Sequence, residues 1–451
     1  MAQSDAQTLL HDAFNTMIAS FVAGRDAIDQ PELKPPPGTD RNLAEGYRYM
    51  MGYVCSAVER AMAEDTDLPY FRRAIPPHCK STWDNADNLY LSAAIDGEQT
   101  YRIRGRAEDS RHWRGEQPID GVRAPLYVIF TAVTQYTGDT GSIAELTPEV
   151  TNNGGSLDNP DIVVDANGEF EIILAPERPA GYDGNFVSTK TTSPSGQPQI
   201  CNYIICRQLF GDWRDERTLE LHIVNVEKVG APAALPTPEA MAAKMQRIGD
   251  IVNHQMRFWN DFFATILDGY GDSELKTPFA FPEPNVPNQP QPPSATVGAA
   301  QKTNIYSGGV FDLRSDEALI VEQTIPVVPL YTGFNLNNIW GESYDYANFI
   351  SSINNQQASA DGDGKVRYVI SEQDPGINNW LDTTGLNHGM MSMRWAYTEE
   401  PAALPTLVVS KVPFAELDKH LPADTTRVTP EQRREQIVLR QEHCQRRFRQ
   451  S

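Results

Sequence analysis

Apolar residues recur at helical spacing in three long segments of the chain. Residues 1–22 are predicted to form an amphipathic helix with the apolar positions Leu10, Phe14, Met17 and Phe21. Asp40 can cap a second helix, whose apolar stripe is Leu43, Tyr47, Met50, Val54, Val58 and Met62. Thr237 and Pro238 begin a third helix. Its stripe is Met241, Met245, Ile248, Val252, Met256, Trp259, Phe263 and Ile266, and we expect it to pack against sheets.

From Trp83 onward the apolar spacing changes from about 3.6 to about 2, the period of a strand. Asp96-Gly97 is a hairpin signal. Six further segments are predicted strands: 126–133, 169–175, 202–209, 218–226, 318–328 and 406–412. Many short strands separated by Gly, Pro and Asn turns are typical of antiparallel sandwiches and jelly rolls. We therefore predict a mainly β protein with two antiparallel β-sandwich or jelly-roll domains and packed N-terminal, central and C-terminal helices.

Proline-rich residues 282–298 are predicted to mark the domain boundary, as a linker between the two β regions. A capping box at Thr429 begins a C-terminal helix. From Asp424 on, seven arginines against four acidic residues make this region basic, so we expect it to dock on its own or a neighbouring subunit. The predicted units are N-terminal helices 1–70, a first sandwich 71–230, the long helix and linker 231–299, a second sandwich 300–422 and a basic helix 423–451.

The charge balance excludes several classes of partner. The 38 basic and 60 acidic residues give a net charge of −22, which disfavours nucleic acid and anionic membranes. No apolar stretch approaches the roughly 20 residues of a membrane span. The N-terminal residues lack the basic and apolar parts of a signal peptide, so we expect a cytoplasmic protein. Five cysteines without a C-x-x-C pair argue against a disulfide framework.

The motifs of common cofactors are absent from the sequence. It contains no G-x-G-x-x-G after a strand, no G-x-x-x-x-G-K-[ST] and no H-E-x-x-H. We expect neither a metal nor another cofactor, although a metal held by residues distant in sequence stays open.

The segment from Asp374 to Trp395 is dense in polar and aromatic residues, as loops that carry function often are. His388 could transfer protons, with Asp382 or Asp374 orienting its ring. Tyr331 and Tyr344 could donate to an oxyanion. Candidate substrate contacts are Asn379, Trp380, Trp340, Asn338, Arg394 and Glu322. The alternative is a packed loop that closes a sheet, with Trp380 as its anchor and His388 as a structural group.

Two other groups of residues are candidate sites. Arg102 and Arg104 alternate with apolar residues and could hold a substrate carboxylate or sulfate, or they could form a solvated face with local salt bridges. Glu177 and Glu322 could form a carboxylate pair of the kind that glycosidases use. In that hypothesis Trp340 and Trp380 would be the sugar platforms.

Five sequence blocks are similar to a known family. They are LAEGYRYMMGYV, DNADNLYLSAAIDGEQTYRIRG, GEFEIILAPERP, RQLFGDWRDE and DPGINNWLDTTG with the downstream RW, spread over residues 40–395. Together they resemble the family called domain of unknown function 1214. The resemblance implies jelly-roll β-sandwich domains, often two per chain, and no established activity or catalytic residue. A histidine often follows the glycine that matches Gly385 in that family, whereas this chain has Leu386 there and His388 two residues later.

Three functions follow as hypotheses. The first is a cofactor-independent isomerase, lyase or hydrolase that acts by acid–base chemistry on a small apolar or aromatic metabolite. The second is a carbohydrate-active jelly roll with paired carboxylates. The third is a non-catalytic binding or assembly protein whose basic C-terminal helix docks across a subunit interface. A small-molecule substrate and a homo-oligomer are the expected partners.

Overall fold

A computed structural model of the chain describes residues 4–29, 39–81, 83–116, 120–268, 283–292 and 303–448. The helices are α1 (Asp5–Ile28), α2 (Asp40–Ala63), α3 (Pro238–Asp268) and α4 (Pro430–Phe448). None of the helices in the described part of the chain combines the length and apolarity needed to cross a bilayer.

The first sandwich packs two sheets around one apolar core. Its strands are β1 (Arg72–Arg73), β2 (Asn88–Ala94), β3 (Tyr101–Arg106), β4 (Tyr127–Val133), β5 (Asn153–Asp158), β6 (Glu169–Ala175), β7 (Asn185–Ser188), β8 (Lys190–Thr192), β9 (Pro198–Ile200), β10 (Tyr203–Leu209) and β11 (Glu220–Asn225). The sheet orders are β1-β2-β10-β4-β5 and β11-β3-β6-β7, with β8 and β9 as a separate pair. Alternate residues such as Ile103, Phe130 and Ile172 point inward from both sheets and are buried together.

The turn at Asp96-Gly97 does not make the predicted hairpin. It joins β2 to β3, and these strands belong to opposite sheets of the sandwich. A Cβ at Gly97 would clash with the backbone carbonyl oxygen of Cys201. Glycine at this position therefore allows the turn to lie close to the backbone at Cys201. The signal for a tight turn was correct, while the pairing of the flanking strands was wrong.

The second sandwich repeats this plan with different strand orders. Its strands are β12 (Asn304–Asp312), β13 (Glu317–Thr324), β14 (Tyr331–Asn337), β15 (Ser352–Asn354), β16 (Val366–Ser371), β17 (Trp380–Asp382), β18 (His388–Ala396) and β19 (Thr406–Pro413). They form sheets in the orders β12-β18-β14-β15 and β17-β16-β13-β19. Most pairs are antiparallel, whereas β16 pairs with β17 in parallel, as β6 does with β7. The predicted mainly β fold class with two sandwiches is confirmed.

The proline-rich segment is more than a connector where the structure describes it. Residues 283–292 lie along β12, and the backbone of Gln291 exchanges hydrogen bonds of 3.0 and 2.9 Å with that of Tyr306. The Asn288 side chain accepts from the backbone of Gly308. Prolines are tolerated at a sheet edge because one side of an edge strand needs no ladder donors. The described part of the predicted linker therefore lies on the edge of the second sandwich.

Helices α1, α2 and α3 pack together and against the second sandwich. Their shared core includes Tyr53, Val252 and Phe258, and it reaches Trp340 and Met390 of the second sandwich. Of the predicted α3 stripe, six residues are buried: Met245, Ile248, Val252, Met256, Trp259 and Phe263. Met241 is half-buried, and the side chain of Ile266 lies outside the described part of the chain.

The face of α2 that packs on the core differs from the predicted one. Its buried residues include Tyr49, Tyr53 and Ala57, while most of the predicted stripe lies on the outer surface. α1 likewise runs on to Ile28 and exposes Phe14, one of its predicted apolar positions. Both faces of α2 are apolar, so the spacing alone did not select the inner one.

The basic helix α4 docks on its own chain. Arg433 pairs with Asp374, Arg440 donates to Ser352 Oγ, and His443 Nδ1 lies 2.9 Å from the carbonyl oxygen of Trp213. These contacts span both sandwiches. They occupy the buried side of α4 and place the helix on its own chain, the first of the two docking partners expected from its basic charge.

A buried polar junction joins the two sandwiches. Asp87, at the end of the loop before β2, accepts hydrogen bonds from Tyr331 at 2.5 Å, Trp213 at 2.7 Å and Asn354 at 2.8 Å. Burial raises the pKa of Asp87, although these donors oppose the shift. Nearby, Asp84 accepts from the backbone and the hydroxyl group of Ser343. The DNADN block therefore fixes one sandwich on the other.

Candidate functional site

A recess opens where the helical layer meets the first sandwich. It lies beside the last turn of α2, the start of β1 and the facing ends of β2 and β10, and its volume is about 190 Å³ with the space at its open mouth included. Its lining residues are Arg60, Ala63, Glu64, Tyr70, Arg72, Ser92, Ala94, Tyr136 and Tyr203. Most of these side chains are charged or aromatic, and they come from separate stretches of the chain.

Arg60 is held by two carboxylates. Its Nη1 lies 2.7 Å from Asp139 Oδ1, and its Nε lies 3.1 Å from Glu64 Oε1. Arg247 of α3 reaches the same carboxylates, at 3.1 Å from Glu64 and 3.4 Å from Asp139. Burial lowers the pKa of Arg60, but the charge of Asp139 outweighs it and holds the pKa well above the usual value. The four groups fix one another in position and stay charged at neutral pH.

Two tyrosines complete the wall around Arg60. The ring centroids of Tyr136 and Tyr203 lie 4.4 Å apart, and the Arg60 guanidinium carbon lies 4.0 Å from the Tyr136 centroid. The Tyr203 hydroxyl donates to Glu64 at 2.5 Å and accepts from Arg60 at 2.9 Å. Burial raises the pKa of Tyr203, so this phenol keeps its proton at neutral pH.

Arg72 differs from the other two arginines because its nearest carboxylate in the described part of the chain, that of Glu59, is 3.9 Å away. Arg72 is only 7% exposed. Its Nη2 lies 3.3 Å from the Tyr136 hydroxyl, and its Nη1 lies 3.3 Å from its neighbour's carbonyl oxygen and 3.9 Å from Glu59. These are long distances for charge-assisted hydrogen bonds, which are usually about 2.7–2.9 Å. The guanidinium therefore keeps donor capacity on the side of the recess.

The charges around the recess balance locally in a chain of net charge −22. Arg60 and Arg247 lie beside the carboxylates of Glu64 and Asp139, and Arg72 lies 3.9 Å from that of Glu59. Burial opposes the ionisation of Glu64, but hydrogen bonding to Arg247 and the charge of Arg60 lower its pKa. Fixed donors around a positive charge suit the recognition of an oxyanion.

The predicted site lies elsewhere, in the second sandwich, where its polar groups support the fold. Asp374 forms a bidentate ion pair with Arg433, at 3.0 and 3.1 Å. The amide of Asn379 donates to the carbonyl oxygens of Ser359 and Arg367. Trp380 is buried, and its Nε1 donates to a backbone carbonyl of β16 at 3.1 Å.

His388 and the acids proposed to orient it are not partners in the structure. His388 begins β18, and its Nε2 lies 3.1 Å from Asp312 Oδ1. Asp382 ends β17 and accepts from the backbone of Thr384 at 2.7 Å. Burial raises the pKa of Asp382 to about 6. Tyr344 is buried, and its hydroxyl donates to the backbone carbonyl of His388 at 3.4 Å. The proposed orientation of His388 by Asp382 or Asp374 was wrong.

Four other predicted residues lie in the interior. Tyr331 belongs to the buried junction at Asp87. Asn338 accepts from the backbone of Trp340 and so closes a tight turn. The indole of Trp340 is 2% exposed, and its Nε1 donates to the carbonyl oxygen of Asn42. Arg394 is half-buried between these interior residues, and its Nη2 donates to the backbone carbonyl of Trp83 at 3.1 Å.

The two remaining constellations are not assembled as proposed. Glu322 of β13 pairs with Lys365 at 2.5 Å and Arg367 at 2.6 Å, while Glu177 is exposed in the first sandwich. Trp340 and Trp380 are both buried, so neither presents a ring to a sugar. The hypothesis of two tryptophan platforms was wrong because both indoles fill the interior.

At Arg102 and Arg104 the structure shows the second alternative, a solvated face with local salt bridges. Arg102 and Arg104 share Glu171 on the neighbouring strand, at 3.3 and 3.7 Å. All three side chains are substantially exposed. The geometry is that of a solvated sheet face with cross-strand ion pairs.

Sequence reasoning did not identify the residues of the recess. Arg60, Arg72, Tyr136 and Tyr203 are distant from one another in sequence and form no motif. The one local signal is the doublet Arg72-Arg73 before the first long strand. Such a doublet alone does not indicate which arginine is buried.

Comparisons with known proteins establish the fold. The chain is similar to the crystal structure of an uncharacterized protein from Burkholderia cenocepacia, with a TM-score of 0.71, 24% identity and coverage of 91% of this chain and 99% of that chain. A second solved structure, the VPA0106 protein from Vibrio parahaemolyticus, has a TM-score of 0.38 and 11% identity, and the similarity covers 81% of this chain and 98% of that chain. A similarity this remote supports no conclusion about the present chain. No family model and no curated protein matches the chain. The resemblance to domain of unknown function 1214 stays a prediction, and what the comparisons give is a shared architecture of sandwiches and helices.

Proposed function

We propose that the protein binds a small metabolite through a terminal carboxylate, phosphate or sulfate group in the Arg60–Arg72 recess. The proposal rests on the burial and the long contact distances of Arg72. Its guanidinium is buried, lines an open recess and has only long contacts with other groups. Buried arginines are usually paired closely, because an unpaired buried charge is costly. An anionic ligand would supply a closer partner than Glu59, which is 3.9 Å away.

The groups around Arg72 favour an oxyanion over a neutral ligand. A guanidinium offers a planar pair of donors that matches the oxygens of a carboxylate or phosphate. The hydroxyl groups of Ser92 and Tyr136 are hydrogen-bonded to each other, which leaves one of the two hydroxyl hydrogens free to donate to a ligand.

The dimensions limit which part of a ligand can enter. The narrow interior has room for a group about the size of one water molecule. An oxyanion would thus bind by its terminal oxygens, while the rest of the ligand lies at the mouth. Tyr70, which is half exposed there, offers an aromatic surface to that part.

The fixed charges favour binding over acid–base catalysis. Arg60, Asp139 and Glu64 keep their charges at neutral pH, and Tyr203 keeps its proton. General acid–base catalysis works best with a group whose pKa is close to the working pH. Of the three hypotheses drawn from the sequence, the recess therefore supports a non-catalytic binding protein.

A thermal-shift and calorimetry screen tests this proposal. The probes are matched sets of small carboxylates, phosphates and sulfates with their neutral amide or alcohol analogues. A ligand of the folded state raises the melting temperature by mass action. We expect shifts from anionic members only, and Arg72→Gln should weaken binding about tenfold or more.

The matched control is Arg73→Gln, because this neighbouring arginine does not line the recess. It should bind the same ligand as the wild type does. Equal shifts from the neutral analogues, or equal binding by folded Arg72→Gln protein, would refute the proposal.

A further inference from the structure

Helix α2 carries a second apolar face, which is exposed. Leu43, Tyr47, Met51, Val58 and Met62 are between 39% and 54% exposed, and half-buried Val54 completes the row. We call these six residues the α2 outer row. They recur at intervals of three or four positions, so they form one continuous stripe along the helix. A surface helix is normally polar on this side.

We propose that the α2 outer row is the contact surface of a symmetric homodimer, in which α2 packs antiparallel to α2 of a second copy. A twofold axis between positions 51 and 54 places every residue of the row opposite an apolar residue. Leu43 then faces Met62 of the partner subunit, Tyr47 faces Val58 of the partner subunit, and Met51 faces Val54 of the partner subunit. The row is thus complementary to itself, as an isologous contact requires.

The area available is that of an ordinary stable dimer. Each of the two N-terminal helices has 24 residues, so each is about 36 Å long and about 10 Å wide. α1 packs beside α2 and exposes a row of its own at Phe14, Ile18 and Val22. Two such helices offer about 700 Å² per subunit, close to the roughly 800 Å² that a standard interface buries on each partner.

The charge of α2 favours a second copy over a lipid surface. Its acidic residues Asp40, Glu45 and Glu59 balance Arg41, Arg48 and Arg60. Helices that lie on anionic membranes carry an excess of Lys and Arg on the polar face. A neutral helix also lets two strongly acidic chains approach at the place where their repulsion is smallest.

Sedimentation velocity of the full chain tests the dimer. We expect the wild type to sediment with twice the chain mass and Met51→Glu to sediment with half that value, because the new charge would be buried at the twofold axis. Met51→Leu should restore the dimer. The matched control is Val328→Glu, which places the same charge at an 89% exposed site on the second sandwich. It should leave the sedimenting mass unchanged.

Thiol cross-linking gives an independent reading of the geometry. Cys55 borders the α2 outer row and is exposed, whereas the other four cysteines are buried. A short bismaleimide should give a cross-linked dimer that disappears in Cys55→Ser and in Met51→Glu. A wild-type chain that stays monomeric at high concentration would overturn the proposal, as would a dimer that survives in folded Met51→Glu. Binding of the wild type, but not Met51→Glu, to phosphatidylserine vesicles would also overturn it and assign the row to a membrane.

Discussion

Two regions of the molecule, the segment Asp374–Trp395 and the Arg60–Arg72 recess, are both rich in polar and aromatic side chains. In the segment, Asn379 and Trp380 donate to backbone carbonyls, and Asp374 is paired with Arg433 of α4. In the recess, Arg72 makes only long contacts and lines open space. The comparison teaches that a high density of polar groups along the sequence is not by itself a site. A site needs donors or acceptors that the fold has not already used.

The largest effect should come from truncating the anchor of the segment. Trp380→Ala would remove a buried indole together with its hydrogen bond to β16, and such truncations cost about 3–5 kcal/mol of unfolding free energy. Urea unfolding measures the loss. Under conditions where the variant is folded, its affinity for the oxyanion ligand should be unchanged. A variant of normal stability that had lost ligand binding would show that the segment, and not the recess, is the site.

Removing the α4 contact should have a smaller effect. Arg433→Ala would remove the ion pair of Asp374, which keeps the backbone N–H of Gly376, and the side-chain donor to the carbonyl oxygen of Ile377, and we expect this to cost about 2 kcal/mol. The neighbouring Arg434 is 70% exposed and pairs only with Glu431, so Arg434→Ala should cost less than about 0.5 kcal/mol. Equal unfolding midpoints for the two variants would contradict the assignment of Arg433 as a support of the segment.

The smallest predicted effect depends on pH. Burial raises the pKa of Asp382 from 3.8 to about 6, so this carboxyl group contributes most to stability when protonated, and the contribution is lost as the pH rises from about 4 through 6. Asp382→Asn keeps an acceptor for Thr384 and removes the charge. We expect it to be about 1–2 kcal/mol more stable than the wild type at pH 7 and nearly equal at pH 4. Chemical unfolding across this range measures the difference, and a constant difference would contradict the pKa shift.

Individual helices and strands, and from them the fold class, could be predicted because local sequence patterns determine these elements. The period-two pattern of residues 169–175 and the capped start at Pro238 correspond to β6 and α3 as the structure has them. Local patterns do not specify long-range choices. The Asp96-Gly97 turn was correct as a turn, but which strands pair across it depends on the closure of the sandwich.

Which face of α2 is buried is also determined by long-range contacts. Both Tyr53 and Met51 belong to apolar rows, and only the contacts with α3 and Trp340 determine which row is inside. The recess was beyond sequence reasoning for a related reason. Arg72 and Tyr203 come together through the pairing of β1 and β10 with β2, which no spacing along the chain records.

The most direct test of the central claim is one calorimetric titration repeated on three proteins. The strongest oxyanion ligand from the screen is titrated into the wild type, Arg72→Gln and His388→Gln. The account predicts that binding falls about tenfold or more in Arg72→Gln and is unchanged in His388→Gln. Loss of binding in His388→Gln with full binding in Arg72→Gln would place the site in the Asp374–Trp395 segment and contradict the account.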